Sequence, residues 1–72
     1  MQIYINMKSG NPVTIVEKYK DGMATVRRID CDKELFSPLK SLKKVEDFIS
    51  EGGELCSRHQ HMITKLTGIT FD

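Results

Sequence analysis

Asp21-Gly22 stands between two runs rich in β-branched residues, Val13 to Tyr19 (VTIVEKY) and Met23 to Ile29 (MATVRRI). Lys20-Asp21-Gly22 has the chemistry of a tight turn, since Gly takes positive φ without a Cβ clash. An antiparallel hairpin is therefore the firmest local expectation. Upstream, Ile3, Ile5 and Met7 alternate with Gln2, Tyr4 and Asn6, a period of two that reads as another strand. Lys8-Ser9-Gly10-Asn11-Pro12 ends it, because Pro cannot donate to a ladder. Asp30 to Lys33 is a polar turn, and Glu34-Leu35-Phe36 a short strand candidate.

At Ser37-Pro38 the period changes. Ser suits a helix N-cap and Pro the first helical position, and Leu39, Leu42, Val45, Phe48 and Ile49 follow at spacings of three and four. Gly52-Gly53 interrupts, each Gly costing about 1 kcal/mol inside a helix relative to Ala. The stripe resumes in phase with Leu55, Cys56, His59, Met62, Ile63 and Leu66, and Gly68 supplies a C-terminal stop. Two short helices meeting at the glycines are preferred over one kinked helix. The expected fold is α+β in one domain, residues 1–72. Residues 2–36 form a small antiparallel sheet, 37–67 a helical half, and 68–72 a closing strand or a tail packed through Phe71.

The stretch from Lys8 to Leu42 resembles the small bacterial SH3-like proteins of the YodC kind, on Lys8, Ser9, Gly10, Pro12, Thr14, Val16, Gly22, Val26, Asp30, Phe36 and Leu42. The same layout is similar to KOW and Tudor-like barrels of proteins that touch nucleic acid, ribosomes or RNA polymerase. Asn11 stands where that pattern has a second glycine, and Arg27-Arg28 where it has an aromatic. The resemblance covers about half the chain and implies an SH3-like sheet. It also implies a short 3₁₀ turn over residues 38–42 and a last strand at Lys43-Lys44-Val45. Periodicity favours a helix over that segment instead; both readings stay open for residues 38–44, and the helix is expected to extend at least from Val45.

Charge divides the chain. Residues 1–44 hold nine Lys/Arg against five Asp/Glu, or +4; residues 45–72 hold two against five, or −3, and the sum is the net +1. So small a net charge argues against a dedicated, strongly basic nucleic-acid binder. There is no basic leader with an apolar stretch and no run long enough to span a membrane, and with two cysteines in 72 residues the expectation is a cytoplasmic protein with reduced thiols.

Three sets of residues are candidates for chemistry. Cys56, His59 and His61, with Cys31, invite a zinc reading. On a helix, however, His61 lies about 200° round from His59, and the spacing fits no common zinc module. Cys56 and His59 are expected to face the core, and His61 solvent. The same Cys and His lack the third group and pocket that nucleophilic catalysis needs, so no enzyme and no cofactor are expected. Arg27, Arg28, Lys40, Lys43 and Lys44 form the basic candidate for phosphate contacts, the three lysines sharing a helix face at i, i+3, i+4. Glu46, Asp47, Glu51 and Glu54 form an acidic surface for a protein partner. The favoured expectation is non-catalytic protein binding, as by a small regulator or stoichiometric inhibitor of a larger bacterial complex, a kind that phages encode. A KOW-like nucleic-acid module and a small zinc domain are the alternatives, and self-association is a further option.

Overall fold

The computed structural model describes residues 1–71. Asp72, expected to belong to the closing strand or tail, lies outside them. The hairpin forms as its turn chemistry requires. β1 is Tyr4–Asn6, β2 Pro12–Lys18 and β3 Met23–Arg28. β2 and β3 pair antiparallel from Val13↔Arg28 to Lys18↔Ala24. Gly22 sits at φ +83°, and the Asp21 carboxylate accepts the Met23 N–H at 3.1 Å. The register slips between Ile15 and Glu17, leaving Val16 as the extra residue of a bulge.

β4 (Glu34–Pro38) pairs with β3, a 3₁₀ turn covers Leu39–Ser41, and β5 (Leu42–Lys44) returns to pair with β1. The five strands run antiparallel in the order β4-β3-β2-β1-β5, so β4 and β5 are the edges. Two helices follow, α1 (Val45–Ser50) and α2 (Ser57–Thr67), which makes the protein α+β.

Over residues 37–44 the turn-and-strand alternative holds and the helical one does not. Ser37 is a strand residue, 2 % exposed and paired with Ala24, and Pro38 closes β4 instead of opening a helix. The spacing misled because a 3₁₀ turn has three residues per turn, so Leu39 and Leu42 return to one side without an α-helix. The helix does begin at Val45.

At the glycines the chain makes two helices. Gly52 adopts φ +86° and residues 53–56 run without helix or strand, so the continuous phase of the stripe is a coincidence of spacing. Gly68, at φ +82°, ends α2 with its N–H on the Thr64 carbonyl. Among the described residues after it there is no strand; Ile69 and Phe71 pack back on the core.

Strand alternation builds two cores, one on each face of the sheet. Val13, Ala24 and Val26 are fully buried on one face, with Tyr4, Ile15, Leu35, Leu39 and Leu42 around them. Ile3 and Ile5 are fully buried on the other, under Val45 of α1 and Ile63 of α2. The helices thus cover the β1 end of this second, outer face. No helix among the described residues is long and apolar enough to cross a membrane.

Candidate interaction surface

Away from the helices, toward β4, the outer face is bare. Thr25 of β3 pairs with Phe36 of β4 and with Glu17 of β2, so the three side chains stand in one cross-strand row. Leu35 turns into the inner core, which sends its neighbour Phe36 outward, where it is 66 % exposed. The Tyr19 ring lies over it, centroids 5.5 Å apart and tilted by 44°. The Tyr19 phenol donates to Glu17 Oε2 at 3.0 Å and meets Thr25 Oγ1 at 2.8 Å. The phenol proton is used on Glu17, so the Thr25 hydroxyl is the donor of the second bond. These bonds fix an aromatic pair in solvent.

The strand carrying Phe36 is also open along its outer edge. Leu39 N–H donates to Gly22 and Arg28 N–H to Lys33, which sets the phase of the β3–β4 ladder. In an antiparallel pair alternate residues bond inward. Leu35 and Ser37 therefore face β3, and Glu34 and Phe36 turn both N–H and C=O away from the sheet. No partner for these groups is present among the described residues.

The basic candidates do not assemble. Arg27 pairs with Glu34 at 2.5 Å, and Arg28 forks onto Asp30 at 2.9 and 2.6 Å. Lys43 reaches Glu51 at 2.6 Å. Lys43 and Lys44 are successive residues of β5, so they point to opposite faces, and Lys40 sits in the 3₁₀ turn. The shared helix face expected for the three lysines does not exist, because the segment is not α-helical.

Among the acidic candidates, Glu51 is engaged by Lys43. Glu46 accepts the Gln2 amide at 3.0 Å, a bond that, with one from its own backbone N–H, holds its carboxyl below the usual range. Asp47 lies in the first turn of α1, and Glu54 in the wall of an open cleft of about 440 Å³ beside Leu55 and Phe71.

Cys31 and Cys56 are both free and exposed. The core-facing expectation fails for Cys56 because α2 starts only at Ser57, leaving Cys56 at the cap position while Leu55 fills the core. Among the described residues no three His, Cys, Asp or Glu side chains converge as a metal site, so Cys31, Cys56 and His59 are not brought together.

His59 instead faces Asp30, Nε2 to Oδ2 at 3.5 Å. Sequence reading missed this contact, since residues 30 and 59 have no spacing relation. The Asp30 carboxylate is 6 % exposed and pinned between β3 and α2. The Arg28 hydrogen bonds, opposed by burial and aided by the Arg28 charge and by His59, lower its pKa to about 2. A carboxylate with a depressed folded pKa contributes stability that is full above its unfolded value and lost as pH falls toward the folded one. Stability should therefore decline as pH drops from about 4 through about 2, and Asp30→Asn should flatten that part of the profile. Urea titrations at a series of pH values measure both slopes; equal slopes would exclude the role assigned to Asp30.

No family model, curated protein or solved structure matches the chain.

Proposed function

We propose that this is a non-catalytic binding protein that acts by contact with another protein chain, through the bare part of the outer sheet face and the open β4 edge. The observation that carries the reading is Phe36, 66 % exposed and in tilted ring contact with Tyr19 in the middle of an edge strand. Edge strands are usually blunted by short length, charged side chains, proline, a bulge or a covering element. β4 has Glu34 and Pro38 only at its two ends, leaving Phe36 between them, and it holds no lysine and no bulge. An aromatic held rigid by hydrogen bonds to its neighbour loses little entropy on contact and offers a large apolar area. Contact without chemistry is what a small regulator or stoichiometric inhibitor requires.

The nucleic-acid reading is the weaker one. Three of its five cations, Arg27, Arg28 and Lys43, are already neutralised by carboxylates, which leaves Lys40 and Lys44. Each phosphate contact would have to break or share such a pair.

Affinity capture from bacterial lysate separates the two. Phe36→Thr keeps a strand-favouring residue while removing the ring. Bound proteins should be the same with and without nuclease, should survive Lys40→Glu/Lys44→Glu, and should be lost with Phe36→Thr. Recovery that disappears on nuclease treatment and ignores Phe36→Thr would establish the nucleic-acid reading instead.

A further inference from the structure

We infer that the outer-face patch around Phe36 takes an arginine side chain of the partner protein, its guanidinium laid on the Tyr19 ring against the Glu17 carboxylate. The inference rests on the protein-contact reading of this face and deepens it by naming the partner's chemistry.

Strand register sorts the outer face into rows. Glu17, Thr25 and Phe36 form one, and Thr14, Arg27 and Glu34 the next. In the second row Arg27 and Glu34 neutralise each other at 2.5 Å. Glu17 keeps its charge, since no Lys, Arg or His pairs with it among the described residues. Its neighbour Lys18 is paired with Ala24 and turns to the other face, where it lines a cleft with Met1 and Tyr4. These two rows thus hold two carboxylates against one guanidinium.

Asp47 and Glu54 also lack a cation, but Glu17 differs in what holds it. Its Oε2 accepts the Tyr19 phenol at 3.0 Å, and the Thr25 hydroxyl meets that phenol at 2.8 Å. Carboxylate and ring are therefore tied in one geometry, and Glu17 Oε1 bonds nothing among the described residues. An aromatic face attracts a cation within about 6 Å of its centroid, and a carboxylate bonded to the phenol adds a full opposite charge beside it. A guanidinium suits this pair better than an ammonium. It is planar and weakly hydrated, stacks on a ring, and presents a fork of N–H donors to a carboxylate. Its methylene stem would run over Phe36, whose centroid is 5.5 Å from that of Tyr19. An anionic group would be repelled by Glu17, so the patch selects a basic partner.

The probe is the blocked tripeptide Gly-Arg-Gly, titrated into ¹⁵N-labelled protein and followed by NMR beside its lysine and citrulline counterparts. The arginine peptide should shift the amide signals of Glu17, Tyr19, Thr25 and Phe36. The lysine peptide should bind more weakly, and the citrulline peptide, which has the same shape without the charge, should leave these signals in place. Glu17→Gln keeps an acceptor for the phenol, and Tyr19→Leu keeps apolar bulk without a π face. Each should weaken arginine binding by about 2–5-fold, while Asp47→Asn should not change it. Shifts centred on Asp47 and Glu54, an equal response to citrulline or lysine, or a Glu17→Gln protein that binds like wild type would each overturn the inference. Lysate capture keeps this failure apart from that of the surface itself. Recovery lost with Phe36→Thr but retained with Glu17→Arg leaves the contact surface standing and removes the arginine site. Recovery that ignores Phe36→Thr removes the surface.

Discussion

Ile63→Ala should lower the unfolding free energy by about 2–5 kcal/mol, the range for a large aliphatic side chain removed from a packed core. Ile63 is the one fully buried residue of α2, and it meets Ile3, Ile5 and Val45 where the two helices close over the sheet. Truncation leaves a cavity lined by Ile3, Ile5 and Val45, and the site can collapse only if a helix moves. At roughly 0.05–0.15 kcal/mol per residue, a domain of this size has a total of about 4–11 kcal/mol, and the loss could remove most of it. Leu66, on the same helix but 45 % exposed, is the control, and Leu66→Ala should cost less than about 1 kcal/mol. Urea denaturation followed by circular dichroism gives both values. A loss below about 1 kcal/mol at Ile63 would mean that α2 is not held through this core.

Gly53→Ala should destabilise by about 1–3 kcal/mol, the range for overpacking a filled site. A Cβ at position 53 would lie 2.5 Å from Phe48 Cε2 and 2.6 Å from Cζ, well inside contact distance. The Phe48 ring packs on the helix-side core, so it cannot swing out without uncovering Ile3 and its neighbours. Relief should come from shortening the ring: Gly53→Ala in a Phe48→Leu background should cost less than it does alone. A double-mutant cycle measures that coupling. Strict additivity would show that the methyl is absorbed elsewhere and that the close approach is not what requires glycine.

These two residues also show how far the sequence could be read. Gly52-Gly53 was legible as the break between two helices, and that break exists. The two glycines nevertheless do different work, one adopting φ +86° and the other admitting an aromatic ring. The second role depends on a fold not visible in a local pattern. Asp21-Gly22 was legible because its turn chemistry is complete within three residues. The segment from Ser37 to Lys44 was not, because a 3₁₀ turn and an α-helix share a spacing of three. That error carried over to Lys40, Lys43 and Lys44, which were placed on one face by a helix that does not form.

The candidate surface was barely legible. Phe36 and Tyr19 were visible as strand residues, but 17 positions separate them, and only the β2–β3–β4 register brings their rings together. Nor could exposure be read, since an aromatic in a short strand points inward as readily as outward until its neighbours are placed. Leu35 decides the matter by filling the inner core. The ion pairs that occupy Arg27, Arg28 and Lys43 were likewise hidden, although two of the three involve carboxylates only two and seven residues away.

The most direct test of a protein-contact surface centred on Phe36 is photo-crosslinking from that position. A benzophenone side chain replacing Phe36 keeps the aromatic body and reacts with whatever lies against it. Illuminated in nuclease-treated bacterial lysate, it should give discrete protein adducts, and the same group at Lys40 or Lys44 should give none. An adduct of twice the 8.2 kDa chain identifies a second copy, and any other mass identifies a different protein. If position 36 yields no adduct while Lys40 or Lys44 captures nucleic acid in untreated lysate, the account of this protein is contradicted at its centre.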